Sequence, residues 1–458
     1  MMKPSLSEFE ASPDYAGGMD TLDPLKGSRE KFFIPKAASG SEAIYFTGNS
    51  LGLQPKTARA YVDQELEDWQ TLAVEGHLNA KHPWLPYHEF LTEQMARVVG
   101  AMPIETVVMN SLTVNLHLMM VSFYRPNAAR RKIMIEKGAF PSDRYAVESQ
   151  IKFHQSEPTA VTGGLPQSVD ATAGAMRGQI QPPATAGGSD WLIQLAPREG
   201  ESTLRTEDIV DAIEREGESI ALVLLGGVNY YTGQAFDMQA ITEAGHKAGA
   251  VVGFDLAHAA GNLELHLHDW NVDFAVWCSY KYLNGGPGAV AGAFIHERHA
   301  SAFDLPRFAG WWGHDKATRF LMGPEFHPIP GAEGWQISNP PILQMAALRA
   351  ALEIFDEVGM LALRQKSEKL TGYLEFLLNK LGHERISVIT PTDPKQRGCQ
   401  LSIRVKNADK SLFDAIASRG VSADWRGPDV IRVAPVPLYN SFTDVLKFAE
   451  ILRECLKS

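Results

Sequence analysis

One stretch of this chain fixes its architecture. Ala221-Leu222-Val223-Leu224-Leu225 is an apolar run of strand length that breaks at Gly226-Gly227. Asp237 then stands in front of an amphipathic pattern from Met238 to Lys247, and Gly249 separates that pattern from a second apolar run, Ala250-Val251-Val252-Gly253-Phe254. The acid is a helix N-cap and the glycine a helix stop. Strand, helix and strand at this spacing form a βαβ unit. Such units require a parallel sheet covered on both faces, so the class is α/β.

Two chemical groups follow from that frame. Asp255 comes directly after the second run, and Lys281 comes just after another, Val272-Asp273-Phe274-Ala275-Val276-Trp277. Both therefore fall at the carboxyl ends of strands, where parallel sheets bind ligands. A lysine there can form a Schiff base, and an aspartate can pair with the protonated ring nitrogen of pyridoxal phosphate.

The chain has 458 residues, enough for two or three domains; 45% of them are apolar and 21% charged, as in ordinary globular enzymes. A net charge of −11 argues against a nucleic-acid partner. The start, Met1 to Glu10, lacks the apolar core of a signal peptide, and no apolar run reaches the ~20 residues of a membrane span. Three cysteines, Cys278, Cys399 and Cys455, make no disulfide framework and fit a reducing cytoplasm.

The chain divides into an N-terminal arm with helices over 1–75, a large cofactor-binding domain over 76–335 and a smaller α+β domain over 336–458. The arm is expected to pack with the small domain. A helix is expected from Thr57 to Leu72 and another from Ile342 to Glu357, with strands at Gln400–Val405 and Val430–Val433. Residues 157–188, rich in Gly, Pro, Thr and Ala, read as a surface loop.

Other motifs leave alternatives open. Val107-Val108-Met109 followed by Asn110-Ser111 and an apolar helix offers free N–H groups to a phosphate, or is simply a capped helix. Phe140, after Lys132–Ile135, could stack on a flat ring or belong to the core. His258 could touch the same ring as Asp255 or be structural. Glu264, His266 and His268 share one face if they lie in a strand, which suggests a metal site; with no further ligand motif, a half-exposed edge is the better reading and no metal is expected. Cys278, inside a dense apolar stretch, reads as an inert buried thiol. Arg432, in an apolar segment, needs an anion, either a substrate carboxylate or an internal acid.

Taken together the motifs resemble one family. Phe46–Gly52, Leu112–Leu116, Phe140–Asp143, Gly253–His258, Cys278–Asn284, Gly310–His314, Ile337–Pro341 and Arg432–Ser441 occur in the order and with the residues of kynureninase, from about residue 40 to the C-terminus. The resemblance implies the fold type I, aspartate-aminotransferase-like architecture of pyridoxal-phosphate (PLP) enzymes: a mainly parallel seven-stranded sheet in the large domain and a smaller α+β domain. It implies hydrolytic Cβ–Cγ cleavage of L-kynurenine or 3-hydroxy-L-kynurenine to L-alanine and anthranilate or 3-hydroxyanthranilate, in tryptophan catabolism and NAD biosynthesis.

Residue by residue, it implies that Lys281 carries the cofactor as a Schiff base and that Asp255 binds the ring nitrogen, with His258 nearby. Phe140 stacks on the ring and Asp143 lies beside it. Leu112, Thr113 and Tyr280 hold the phosphate, and Tyr280 also donates a proton. Trp311 and Asn339 reach a cofactor from the neighbouring subunit of a homodimer. Arg432 grips the α-carboxylate, and His77 with Ser338 and Asn339 makes the aromatic end polar, which favours the 3-hydroxylated substrate. Two departures stand out: 157–188 looks inserted, and Gly226 stands where some members carry serine. Other readings of the same residues are a cysteine desulfurase or aminotransferase, a non-catalytic protein on the same fold, and a metal-dependent hydrolase using His266 and His268. The stacking Phe140 and the lack of a cysteine in an evident mobile loop weigh against the first. The joint presence of Lys281, Asp255 and Arg432 weighs against the second.

Overall fold

The computed structural model describes residues 9–156 and 190–457. The 157–188 stretch lies outside them. Strands are numbered in chain order. β1 (Ile44–Tyr45) is short and belongs to the N-terminal region. Then come β2 (Thr106–Val108), β3 (Lys132–Glu136), β4 (Leu192–Leu195), β5 (Ile220–Gly226), β6 (Val251–Asp255), β7 (Phe274–Trp277) and β8 (Gly292–Ile295). The C-terminal part supplies β9 (Ile386–Val388), β10 (Leu401–Val405), β11 (Val421–Ser422), β12 (Asp424–Arg426) and β13 (Val430–Val433).

The large sheet has seven strands in the order β2-β8-β7-β6-β5-β3-β4. Neighbours from β7 through β4 pair in parallel, and β8 is antiparallel to both of its neighbours. Side chains alternate faces along a strand, and here each face has its own apolar cluster. Val223 and Leu225 of β5, Phe254 of β6, and Ala275 and Trp277 of β7 join one cluster. Leu222 and Leu224 of β5, and Phe274 and Val276 of β7, join the other. That two-sided burial is why these strands read as unbroken apolar runs. The helix expected after β5 forms over Met238–Lys247, and the side chain of its N-cap, Asp237, accepts the Ala240 N–H.

A smaller antiparallel sheet, β12-β13-β10-β9, covers a third cluster. The N-terminal segment joins this region. Its Pro13–Leu22 helix lies against the Phe442–Lys457 helix, whose first N–H groups are accepted by the Asp20 carboxylate. β1 pairs in parallel with β11. The Ala58–Leu72 helix packs instead on the Ile342–Val358 helix, and both helices lie close to their expected bounds. Among the described residues no helix is long and apolar enough to cross a membrane.

Residues 264–268 form no strand. Their alternation comes from Leu265 and Leu267 being buried in a loop whose N–H groups go elsewhere: Leu267 and His268 donate to the Val99 and Gly100 carbonyls at the end of the Glu89–Val99 helix. His268 Nδ1 lies 2.9 Å from Glu105, and His266 pairs loosely with Glu264 at 3.6 Å. Gly100 is left-handed (φ 62°), and a Cβ there would fall 1.9 Å from the Leu265 carbonyl oxygen, so only glycine allows this crossing.

The end of the sheet remote from Lys281 is pinned by one acid. Asp273, 5% exposed, accepts the Val252 N–H at 2.8 Å, meets His246 Nε2 at 2.8 Å and His299 Nε2 at 2.9 Å, and pairs with Arg298 at 2.6 Å. Burial alone would raise its pKa, but the bonds from His246, His299 and Arg298 outweigh burial and hold the carboxyl well below the usual range. A depressed acid contributes stability that is present above its unfolded pKa of about 3.9 and is lost as the pH falls toward the folded value. Asp273→Asn is expected to cost about 3–5 kcal/mol at neutral pH, the usual cost of removing one partner of a buried ion pair. Urea unfolding would show it, with the gap between the two proteins closing as the pH falls below about 4.

Candidate active site

Lys281 lies on the turn after β7, and that turn is built by close backbone approach. The Asn284 N–H donates to the Lys281 carbonyl (3.0 Å) and the Gly285 N–H to the Ser279 carbonyl (2.8 Å), with Asn284 left-handed at φ 57°. From behind, the Gly52 N–H donates to the Tyr280 carbonyl (2.8 Å), and a Cβ on Gly52 would fall 2.3 Å from the Lys281 carbonyl oxygen. The Phe46–Gly52 motif is therefore the support of the lysine turn.

The lysine opens into a cavity of about 220 Å³ lined by Leu112, Thr113, Glu136, Phe140, Ser142, Asp143, Gly226, Val228, Tyr230, Asp255, Ala257, His258, Tyr280 and Lys281. Leu112, Thr113, Phe140, Asp143, Asp255, His258, Tyr280 and Lys281, all singled out from the sequence, meet here from separate segments of the chain. Lys281 Nζ is 5.8 Å from the centre of the Phe140 ring and 5.9 Å from that of Tyr280. Asp255 ends β6, and its Oδ1 accepts the Ala257 N–H at 2.7 Å. Two helices begin at the cavity, Leu112–Phe123 and Pro141–Ser156, and their first turns meet where Thr113 Oγ1 and Ser142 Oγ are 2.8 Å apart. Ser111, the N-cap of the first, makes no side-chain cap bond, which leaves that helix's N–H groups to an anion.

The electrostatics sort the groups into roles. Burial, and then the charge of Asp255, push the Asp143 carboxyl well above the usual range. Burial also raises Asp255, against the Ala257 N–H and the Lys281 charge. Burial, with Lys281 and Arg432 nearby, drives His258 well below its usual value and keeps the imidazole uncharged. Burial raises the Tyr280 hydroxyl, which stays a phenol and a proton donor.

Pyridoxal phosphate fits these residues. Two buried polar atoms of the lining, Asp143 Oδ1 and His258 Nδ1, have no protein partner. An amine, a strand-end acid, an aromatic face and two helix starts answer an aldehyde, a pyridine nitrogen, a flat ring and a phosphate. Gly226, noted as a departure, lines the cavity; a Cβ there would come within 3.3 Å of Glu136 Oε1.

Five singled-out residues do not line the cavity. Arg432 on β13 is 1% exposed, and its guanidinium pairs with Asp424 and donates to the Tyr230 carbonyl, so an internal acid does hold it; its Nε is buried without a partner. His77 sits in the short Gly76–Asn79 helix, edge-on to Trp84 at 5.5 Å, with Nδ1 buried and unpartnered. Trp311 is 43% exposed and donates from Nε1 to Asn339 Oδ1 at 3.0 Å; Ser338 and Asn339 are exposed beside it. Glu136 and Tyr230 line the cavity and were missed. The signal for Glu136 was present, a carboxylate ending an apolar strand just as Asp255 does. A larger cleft of about 800 Å³ lies elsewhere, among charged side chains of both signs including Arg198, Glu201, Arg205 and Glu368, and does not contain the lysine.

Known proteins resemble this chain in sequence and in fold. Residues 363–452 match the kynureninase C-terminal domain family. The chain is 59% identical over 442 residues to the kynureninase of Koribacter versatilis, covering 96% of this chain and 97% of that protein. It is 57% identical to the kynureninase of Myxococcus xanthus, with 97% of each chain covered. The kynureninase of Nematostella vectensis is 48% identical, with 98% and 94% covered. Among solved structures, the apo cysteine desulfurase of Thermococcus onnurineus superposes with a TM-score of 0.69 at 16% identity, covering 91% and 95% of the two chains. A C-DES variant with glycine covalently linked to its PLP cofactor superposes with a TM-score of 0.69 at 15% identity, covering 93% and 98%. At such identity these two speak for the fold alone.

Proposed function

The chain belongs to the kynureninase family, PLP-dependent hydrolases that cleave the Cβ–Cγ bond of kynurenine, and we propose that Lys281, Asp255, Tyr280 and Arg432 carry that reaction here. The observation that supports this assignment best is the convergence of a lysine, a strand-end acid and two helix starts on one cavity. When bound, pyridoxal phosphate supplies an electrophilic carbonyl for the substrate amine and an electron sink for the carbanion.

The protein's part is to hold and to move protons. Leu112 and Thr113, at a helix start, and the Tyr280 hydroxyl hold the phosphate, Phe140 covers the ring, and Asp255 keeps a positive charge on the ring nitrogen. Asp143 lies against Asp255 with its carboxyl pushed up, and His258 shares the cavity wall as an uncharged imidazole. Lys281 removes the substrate Cα proton, and water adds to the γ-carbonyl. As the Cβ–Cγ bond breaks, the aroyl group leaves as a carboxylate and Tyr280 donates the proton that completes the methyl group of alanine. Arg432 receives the α-carboxylate on the N–H groups that Asp424 and Tyr230 leave free.

His77, Trp311, Ser338 and Asn339 lie away from the Lys281 cavity of their own chain. We read them as belonging to the site of a second copy, so the working unit is a homodimer with shared sites. The exposed apolar set Phe308, Trp311, Phe320, Leu321 and Met322 supports an interface there. A cytoplasmic location belongs to the same reading and rests on three buried cysteines without disulfides.

Incubating the PLP-loaded protein with kynurenine and 3-hydroxykynurenine, and following anthranilate-type fluorescence and alanine, tests the reading. Turnover is expected, with specific activity falling on dilution as the copies separate; a protein inert toward both substrates overturns it. His77→Phe is expected to narrow the kcat/KM preference for 3-hydroxykynurenine, because a site that hydrogen-bonds a hydroxyl discriminates against its absence. An unchanged ratio would remove His77 from the specificity argument.

A further inference from the structure

Glu136 has no part in the reaction above, yet it is 4% exposed at the cavity wall. Its Oε2 accepts the Gly226 N–H at 3.1 Å and its Oε1 accepts Asn229 Nδ2 at 3.2 Å; no ion pair involves it among the described residues. Burial, with Asp255 adding to it, pushes its carboxyl up to about 7 against those two donors. An acid kept here without a cation calls for a reason.

Asn229 supplies one. While Nδ2 donates to Glu136 and, at 3.4 Å, to the Gly138 carbonyl, Oδ1 accepts the N–H groups of Tyr231 (3.0 Å) and Thr232 (2.9 Å) and the Thr232 hydroxyl (3.2 Å). The side chain thus caps a turn, and Tyr230 lies inside that turn. Tyr230 faces both ends of the site. Its ring packs edge-on to Phe140 at 5.2 Å, and its carbonyl accepts from Arg432 and, at 3.1 Å, from Gln400.

We propose that Glu136 is a positioning residue for Arg432: through Asn229 and the turn that Asn229 caps, it sets the Tyr230 carbonyl on which the guanidinium rests. The strut runs from the end of β3 to β13, so the wall of the cofactor cavity and the carboxylate-binding arginine keep a fixed separation. It rests on the reading of Arg432 given under the proposed function. Polarity makes it specific. Gly226 and Asn229 both donate to Glu136, so a glutamine at 136 must turn its NH₂ toward one donor. An aspartate at 229 still caps the turn but sets a carboxylate against Glu136. Together the two changes restore the strut with its central hydrogen bond reversed, the new amide at 136 donating to the new carboxylate at 229.

The test is the affinity of the PLP-loaded protein for L-alanine, read from the absorbance of the bound cofactor, in the unaltered protein, Glu136→Gln, Asn229→Asp and the double variant. Affinity of the apoprotein for pyridoxal phosphate is measured alongside. Each single change is expected to weaken alanine binding about tenfold, the scale of one hydrogen bond to a charged group, while pyridoxal phosphate affinity stays within about threefold. In kynurenine turnover the loss appears in KM rather than kcat. The double variant is expected to recover alanine affinity to within about threefold of the unaltered protein. Unchanged alanine affinity in both single variants overturns the proposal, as does a double variant no better than the worse single one. Turnover of kynurenine by the unaltered protein reports on the family reaction alone. A protein that binds alanine but leaves kynurenine intact loses that reading, while the four alanine affinities still decide the strut.

Discussion

Lys281→Ala is expected to lower kcat for kynurenine by about 10⁴-fold, the upper end of what one positioned acid–base group contributes, and more if covalent attachment of the cofactor also speeds loading. No other amine lines the cavity wall. Burial and the neighbouring cations leave His258 a weak base, and burial keeps Tyr280 a phenol. Arginine at this position is expected to fail equally, because a guanidinium does not give up its proton. The fold should survive, since the neighbours of Lys281 use its backbone: Asn284 donates to its carbonyl, and Gly52 packs on that same oxygen. Borohydride treatment followed by mass analysis should find a cofactor adduct at residue 281 in the unaltered protein and none in the variant. A variant keeping a tenth of the activity would refute the assignment.

Asp255→Asn comes next in size, with kcat expected to fall by about 10³-fold. The amide oxygen can still accept the Ala257 N–H that the carboxylate takes at 2.7 Å, so the strand end should keep its shape. What disappears is the charge that keeps a proton on the ring nitrogen. Asp143 is the internal control. Burial and Asp255 push its carboxyl up, toward the neutral form that asparagine resembles. Asp143→Asn should therefore cost less than about tenfold. Similar losses in the two variants would mean that the charge at the ring nitrogen is not assigned to Asp255 alone.

The contrast between these two acids marks what a linear chain discloses. Asp255 and Lys281 announced themselves because each follows an apolar strand and the strands lie in a parallel sheet, whose geometry sends such residues to one edge. The central strands were legible for the same reason: burial on both faces leaves an unbroken apolar run. β8 was not read, because Gly292–Ile295 is short and its antiparallel direction depends on pairing with β2 and β7. The 264–268 loop imitates a strand because a period of two also arises where leucines drop alternately into a core. Glu136 was missed because an acid ending a strand is usually solvated; its partners, Gly226 and Asn229, come from β5 and the turn beyond it. The Asp273 cluster likewise draws on His246, Arg298 and His299, whose meeting depends on the finished sheet. Arg432 showed that it needed an anion, and only the fold supplied Asp424.

The segment that backs the lysine turn also bears on how the protein comes into being. Phe46 donates its N–H to Ser422 and accepts from Ala434, next to β13, while Gly52 a few residues on braces Tyr280. A ribosome delivers the brace early and the strands it needs almost last. Until β11 and Ala434 emerge, the 46–52 segment lacks the strands it joins, and Lys281 lacks the brace behind its turn. Contacts of such long sequence separation form slowly. A nascent chain therefore carries its amine in an unfinished pocket for most of its synthesis, and a chain cut off before β13 should be an inactive and sticky product rather than a smaller enzyme.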